Sequence, residues 1–266
     1  MFALCPCRFR FATPPPYCPL ARCRGLPLSA LVVGSMSPDF LYFLRLVPRG
    51  HFGHTLPGLV LFCLPLSLLV LGLWHRIVKE PAAELLPGLL RARLSPLARQ
   101  PFPLGRRLPL LAAAILLGAL THLVWDSATH ADGWLVRRLP ALQAELPFPV
   151  FGRMPAFKLA QHLSSLLGAA GLLLALGRWL TRAPRQPIAG PAAPPWLLAV
   201  LVGTAVALGF GYGYWQARPI IDYASARELL ARGVVASSTV LWLALLLWGL
   251  RQQHQKKRTR PERLAS

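Results

Sequence analysis

The segment LPLLAAAILLGALTHLVWDSATHADG, residues 108–133, is the strongest indication of the fold class of this chain. From Leu108 to Trp125 it is almost wholly apolar, and this length is close to the ~20 residues that an α-helix needs to cross a bilayer. His122 lies inside the apolar run, and Asp126 follows it directly. Because an ionised side chain in hydrocarbon costs at least ~2.5 kcal/mol, such a pair indicates a functional site.

Further apolar runs extend this pattern over the whole chain. They cover residues 56–74, 159–180, 196–215 and 234–250. A run at 26–47 is interrupted by Pro38, Asp39 and Arg45, and it predicts a short or broken first span. The 266 residues are 55% hydrophobic and 14% charged, whereas a soluble domain is roughly a quarter charged. The sequence therefore predicts an all-α, polytopic transmembrane bundle of about six spans.

The basic residues predict the orientation of these spans. Most of the 29 Lys and Arg residues fall in both termini and in alternate loops, which favours an N-in/C-in topology. The net charge of +20 is spread over loops between spans, so we expect no nucleic-acid binding and take membrane lipid as the partner. The loop at 76–107 is basic and Leu-rich, and we predict that it contains an interfacial helix attracted to anionic lipid.

Composition divides the chain into segments. We expect a basic N-terminal segment at 1–25, a four-span domain carrying the polar residues at 26–180, a Pro- and Ala-rich linker at 181–195, a two-span scaffold at 196–250 and a basic disordered tail at 251–266.

Depth in the bilayer brings the polar residues of separate spans to one level. Counted from the predicted cytoplasmic edge at ~1.5 Å per residue, Asp39, His122 and His162 lie roughly 20–22 Å deep, in the outer third of the bilayer. Outer loops just above them hold further ionisable residues, namely His51, His54, His130 and Asp132. We therefore predict that these groups share one pocket near the outer leaflet.

The spacing H-x3-D-x3-H puts His122, Asp126 and His130 on one helix face, where they could ligate a metal ion. Gly133 is expected to end this helix as a C-cap residue. A His–Asp pair at this spacing can also be a structural ion pair, and a lone His162 can simply hydrogen-bond a neighbouring carbonyl group.

Four strings resemble the bacterial membrane family catalogued as domain of unknown function 4184. They are LPLSALVVGSMSPDF at 26–40, GHFGHTLPG at 50–58, GALTHLVWDSATHADGW at 118–134 and KLAQHLSSLLG at 158–168. The resemblance implies a membrane topology and a shared polar set, but no established activity. More distantly, the order Pro-Asp, His-Thr, His-x3-Asp is similar to membrane-bound metal-dependent hydrolases, which are compared in turn with zinc-dependent phospholipase C.

One position departs from the family pattern. Family members open with Phe-Thr-x-Ser-His-Pro, and the matching string here is FRFATP at 9–14, with Thr13 in place of the family's His. If that His is a metal ligand, the site of this chain is weakened, rearranged or inactive.

Taken with the resemblance, these residues predict a metal-dependent hydrolase in the bacterial inner membrane, with its site facing the extracytoplasmic side. A divalent metal, zinc for preference, would be held by residues from this set: Asp39, His51, His54, His122, Asp126, His130 and His162. A water activated by the metal would be the nucleophile, with Asp126 or Asp132 as general base. The resemblance implies a phosphoester or lipid-derived substrate. The alternative is a non-catalytic scaffold or small transporter with a structural His/Asp cluster.

Overall fold

A computed structural model describes residues 26–102, 107–148, 152–183 and 193–262 of the chain. The basic segment 1–25, including Thr13, lies outside these described residues. Within them the chain is almost entirely helical, which confirms the predicted all-α fold class.

Helices of very different lengths make up most of the described residues. They are α1 (Leu28–Met36), α2 (Phe40–Arg45), α3 (Leu56–Glu84), α4 (Gly88–Ala98), α5 (Leu108–Thr129), α6 (Trp134–Arg138), α7 (Pro140–Gln143), α8 (Ala156–Arg182), α9 (Pro195–Ala217) and α10 (Tyr223–Glu262). Short 3-10 turns cover Ser37–Asp39 and Phe52–His54, and α3 includes π-helical stretches at Leu59–Cys63 and Trp74–Val78. Strand β1 (Glu145–Phe148) pairs antiparallel with β2 (Gly152–Pro155).

Among the described residues, 5 helices are long and apolar enough to cross a membrane. The candidate spans are Leu56–Glu84, Leu108–Arg138 (α5 together with the short α6 that follows it), Ala156–Arg182, Trp196–Ala217 and Ala224–Lys256. The predicted broken first span is indeed interrupted, because the turn Ser37–Asp39 separates α1 from α2. The chain is therefore a membrane-embedded helical protein, while its N-in/C-in orientation stays a prediction.

The chain forms two compact units, each assembled from segments that are distant in sequence. The described residues within Met1–Met36 and Leu110–Ala183 form the first, and those within Ser37–Pro109 and Pro184–Ser266 form the second. The division into consecutive domains at 26–180 and 196–250 that composition predicts stays a prediction. In the second unit, α10, late in the chain, packs on segments that precede α5: Thr239 donates a hydrogen bond to the Phe43 carbonyl at 3.2 Å.

In the first unit, α1 and α5 cross with their backbones in direct contact. A Cβ atom on Gly34 would lie 2.2 Å from the Ile115 carbonyl oxygen, and one on Gly118 would lie 2.3 Å from the Leu31 carbonyl oxygen. Both distances are shorter than any Cβ contact can be, so only glycine fits at these two positions. Small residues at helix crossings are the usual way in which membrane helices gain close packing.

In the second unit, α10 packs against both α9 and α3 through further glycines. A Cβ atom on Gly209 would lie 2.3 Å from the Ser237 amide nitrogen, which brings α9 and α10 into contact. A Cβ atom on Gly249 would lie 2.4 Å from the Ile77 carbonyl oxygen, so α10 and α3 are also in contact.

The predicted disorder of the tail 251–266 is corrected for its first part, since α10 continues as a helix through Glu262. The reason is that side chains at the end of α10 form a hydrogen bond and ion pairs with α3. The Gln253 amide donates to the Arg76 carbonyl at 2.5 Å, and the Lys256 ammonium lies 3.3 Å from Glu80 and 3.5 Å from Glu84.

The start of α10 is capped by a reciprocal pair of side chains. Asp222 Oδ1 accepts hydrogen bonds from the Ser225 amide at 2.8 Å and from the Ser225 hydroxyl at 2.6 Å, and the Asp222 amide donates back to Ser225 Oγ at 3.2 Å. This is the arrangement of a capping box. The hydrogen bonds from the Ser225 hydroxyl and amide lower the pKa of Asp222 from its ordinary value of 3.8.

We expect Asp222→Ala to lower the thermal unfolding temperature of the purified protein, because it leaves helix-terminal amides without a partner. Asp222→Asn is the matched control and should retain most of the stability, since its side-chain oxygen can still accept. Because folding lowers the pKa of Asp222, the contribution of its charge is complete above about pH 4 and is lost as the pH falls through the lowered value. Equal unfolding temperatures for wild type and Asp222→Ala at pH 7 would contradict this assignment.

Candidate functional site

The first unit contains a cluster formed by His122, Asp126 and His130, which we call the α5 cluster. His122 and Asp126 lie on α5, and His130 follows directly after the helix ends at Thr129. His122 Nε2 is 3.1 Å from Asp126 Oδ2, and His130 Nδ1 is 3.4 Å from Asp126 Oδ1. The carboxylate therefore stands between two imidazoles, on the single face that the sequence spacing predicts.

The ring of His122 is oriented by a backbone carbonyl group on α1. His122 Nδ1 lies 2.7 Å from the Ser35 carbonyl oxygen. A carbonyl oxygen only accepts, so the proton of the ring must be on Nδ1, which donates it. The close crossing of α1 and α5 at Gly34 and Gly118 is what brings this carbonyl within reach.

This orientation leaves His122 Nε2 facing the carboxylate of Asp126. In a neutral imidazole protonated on Nδ1, Nε2 carries a lone pair, as does the carboxylate oxygen 3.1 Å away. Two electron-pair donors at this distance repel each other unless a cation stands between them. That cation is either a proton, which makes His122 an imidazolium, or a metal ion.

The other side of the cluster is oriented by α8. The Lys158 ammonium donates to Gln161 Oε1 at 2.9 Å, and because an ammonium can only donate, this contact fixes the direction of the amide. Gln161 Nε2 then faces His130 Nε2 at 3.4 Å and donates to it. His130 consequently carries its proton on Nδ1, which faces Asp126 Oδ1 at 3.4 Å.

The α5 cluster thus contains a series of donor–acceptor contacts and one position, between His122 Nε2 and Asp126 Oδ2, that suits a cation. Hydrogen bonds run from Lys158 to Gln161 and from Gln161 to His130, whose Nδ1 lies 3.4 Å from Asp126 Oδ1, and a separate one runs from His122 to the backbone. Two ligands bound to zinc at ~2.0–2.2 Å in tetrahedral geometry lie ~3.3 Å apart, so the 3.1 Å between His122 Nε2 and Asp126 Oδ2 fits a shared metal. Imidazole nitrogen and carboxylate oxygen are both suitable donors for zinc or manganese.

The second unit contains the pair Asp39 and His54. His54 Nε2 lies 3.4 Å from Asp39 Oδ1, and the ring of Tyr42 stacks on His54 with centroids 6.3 Å apart. The turn carrying His54 packs directly on the turn carrying Asp39, because a Cβ atom on Gly53 would lie 2.3 Å from the Pro38 carbonyl oxygen. The irregular backbone that Pro38 imposes therefore has a role in placing Asp39 beside His54.

The start of α3 holds His54 in place. Thr55 is the N-cap residue of this helix, and its Oγ1 accepts a hydrogen bond from the Gly58 amide at 3.1 Å. The Thr55 hydroxyl also donates to the Phe52 carbonyl at 2.8 Å, which closes the turn before the helix.

Other predicted site residues have no such partners. Within the described parts of the chain, the side chains of His51, Asp132 and His162 are exposed and form no hydrogen bond or ion pair. Their roles as ligands, or as general base for Asp132, stay predictions. The predicted C-cap at Gly133 is corrected: the helix ends at Thr129, and Gly133 has an extended backbone (φ −63°, ψ 140°) at the start of α6.

Three partners of the α5 cluster are not among the residues predicted from the sequence. The Ser35 carbonyl carries no sequence signal, because every residue has one. Gln161 and Lys158 do have a signal, since they are polar residues directly before and at the start of an apolar span, beside His162. Histidine is the more familiar ligand, yet Gln161 rather than its neighbour His162 is the residue that contacts the cluster.

Comparison with known proteins identifies one family. A family model described as Domain of unknown function (DUF4184) matches residues 9–258, which is nearly the whole chain. No curated protein and no solved structure matches.

We expect Gly118→Val to destabilise the first unit by ~1–3 kcal/mol, because the new side chain would overlap the α1 backbone. The thermal unfolding temperature of the detergent-purified protein measures this effect. Gly168→Val on α8 is the matched control, since a Cβ atom there meets nothing within 4 Å. The close crossing would be refuted by equal losses of stability in the two variants.

Proposed function

We propose that this chain, which belongs to the membrane family of domain of unknown function 4184, is a metal-dependent hydrolase that holds its divalent cation at His122 Nε2 and Asp126 Oδ2. The observation that carries the proposal is the hydrogen bond from His122 Nδ1 to the Ser35 carbonyl. The ring proton of His122 is used in this hydrogen bond, so the lone pair on His122 Nε2 faces the carboxylate of Asp126. Metal-binding histidines are oriented in the same way, by a hydrogen bond from the ring nitrogen that does not bind the metal.

The residues around the cation position support this assignment. The Nδ1 proton of His130 faces Asp126 Oδ1, and the other carboxylate oxygen faces His122. Gln161 and Lys158 fix the ring of His130 in turn. Metal-ligating carboxylates are commonly held by hydrogen bonds of this kind.

The chemistry of hydrolysis follows from the cation. A bound divalent metal would lower the pKa of water towards neutrality. Asp132, which is exposed just beyond the cluster, is the predicted general base. The phosphoester or lipid-derived substrate, the extracytoplasmic orientation and the bacterial inner membrane rest on the resemblance to membrane-bound hydrolases and on the distribution of basic residues.

A second candidate is a non-catalytic scaffold or small transporter. The 3.1 Å between His122 and Asp126 equally suits an imidazolium–carboxylate ion pair, with a proton as the cation. Such a pair inside a span would stabilise the crossing of α1 and α5 without any chemistry. The two candidates differ in one measurable property, the presence of a metal.

We expect the purified protein to contain about one equivalent of zinc or manganese by plasma mass spectrometry, and His122→Ala and Asp126→Asn to lose it. Gln161→Leu should weaken metal binding ~10–100-fold while keeping both ligands, because it removes only the support of His130. His254→Ala, at an exposed histidine near the end of α10, is the matched control and should keep its metal.

The same preparations separate the candidate functions. A metal-free wild type that unfolds cooperatively, with no response to added zinc or manganese, would favour the scaffold. A metal-loaded wild type should hydrolyse members of a lipid-phosphoester panel, with activity abolished by a chelator and restored by metal. A metal that stays bound with no hydrolysis of any substrate in the panel would reject the enzymatic function. Asp39→Asn, His54→Ala and His162→Ala test the further predicted ligands in the same assay.

We expect a cysteine introduced at Ala131, in a chain whose native cysteines are replaced by serine, to react with a membrane-impermeant maleimide on intact cells. The reason is the predicted extracytoplasmic position of the loop after α5. A cysteine introduced at His254 is the control and should react only after lysis. The opposite pattern of labelling would reverse the orientation of the protein.

A further inference from the structure

The second unit contains a basic cavity, independent of the α5 cluster, where the end of α3 meets the end of α10. It has a volume of about 180 Å³. This is well above the ~10–15 Å³ that a cavity needs to hold one water molecule, so the cavity can accept a group of several heavy atoms. Its charged lining residues are Arg76, Lys79, Glu80, Arg99 and Lys256.

The walls of this cavity, which we call the α3–α10 pocket, are held by specific contacts. The Gln253 amide donates to the Arg76 carbonyl at 2.5 Å and so joins α10 to α3. The ends of α3 and α10 form two walls of the pocket, and the segment after α4 forms the third. It is held by the Lys79 ammonium, which donates to the Gln100 carbonyl, and by the ring of Phe102, which stacks on His75 at 3.7 Å.

The charge of the α3–α10 pocket is positive even after its internal ion pairs are considered. Among the described lining residues the one carboxylate, Glu80, is paired with Lys256 at 3.3 Å. In the described parts of the chain, the guanidinium groups of Arg76 and Arg99 form no ion pair or hydrogen bond, although both residues line the cavity and are exposed. Guanidinium groups match the geometry of phosphate oxygens and bind them in bidentate fashion.

The position of the pocket along the helices indicates where its ligand comes from. Arg76 follows Leu56, the first residue of α3, by about 30 Å at ~1.5 Å per residue, which equals the thickness of the hydrocarbon core. A site at this depth is at the level of the lipid headgroups. Basic pockets between membrane helices are a known type of site for anionic headgroups.

We propose that the α3–α10 pocket binds a phosphate group carried by the headgroup of an anionic membrane lipid. Arg76 and Arg99 contact the phosphate oxygens, while the ammonium group of Lys79 adds a positive charge at the wall of the pocket. The loop at 76–107, whose basic character is visible in the sequence, thus contributes a defined site in addition to its general attraction to an anionic surface.

The test is the thermal stability of the detergent-purified full chain with added phosphatidylglycerol, phosphatidylcholine or inorganic phosphate. We expect phosphatidylglycerol to raise the unfolding temperature and phosphatidylcholine to have no such effect. The double variant Arg76→Gln/Arg99→Gln should need at least ~10-fold more phosphatidylglycerol for the same shift, since each lost phosphate contact weakens binding by a charge-assisted hydrogen bond. The double variant Arg178→Gln/Arg251→Gln removes the same charge outside the pocket and should respond like the wild type.

Native mass spectrometry gives a second readout that does not depend on stability. The wild type should retain a bound phosphatidylglycerol molecule that the Arg76→Gln/Arg99→Gln variant loses. An equal response of both double variants, or an equal effect of phosphatidylcholine, would overturn the proposal. Saturation by millimolar inorganic phosphate to the same stability as with phosphatidylglycerol would overturn the assignment to a lipid.

Discussion

The contact on which the candidate site depends is the approach of two helix backbones at Gly34 and Gly118. Because neither residue has a Cβ atom, α1 and α5 come close enough for His122 to donate its Nδ1 proton to the Ser35 carbonyl. That hydrogen bond fixes the tautomer of the ring and the direction of its lone pair. The chemistry proposed for His122 thus follows from a packing constraint between two glycines.

The polar side chains around the α5 cluster pair hydrogen-bond donors with acceptors in a fixed sequence. A lysine ammonium donates to an amide, the amide donates to an imidazole, and that imidazole faces a carboxylate. In a bilayer such order matters more than in water, since an unsatisfied polar group in hydrocarbon costs several kcal/mol. The contact between His122 and Asp126 is different, because two lone pairs face each other there. The other contacts of the α5 cluster each match a donor with an acceptor.

The second unit depends on α10, the longest helix described. Glycines at its contacts with α9 and α3 allow close packing along its apolar part, and polar side chains continue the contact beyond it. Lys256 reaches two carboxylates on α3, so residues 251–262 are held in helical form. The same convergence of helix ends encloses the α3–α10 pocket, which Arg76 and Arg99 line.

Local sequence patterns are sufficient to predict the membrane-embedded all-α architecture, the interruption of the first span at Pro38 and the shared face of His122, Asp126 and His130. These features follow from local rules: the length of apolar runs, the missing amide proton of proline and the helical period of 3.6 residues. The family resemblance was also visible in the printed strings and is confirmed over residues 9–258.

The groups that contact these residues depend instead on how the helices pack. The Ser35 carbonyl that orients His122, the amide of Gln161 that orients His130 and the carboxylates that hold Lys256 all come from segments distant in the chain. A backbone carbonyl leaves no mark in a sequence, and the helical state of residues 251–262 depends on partners that local composition does not contain. Local patterns specify which residues share a helix face, whereas contacts between helices specify what that face meets.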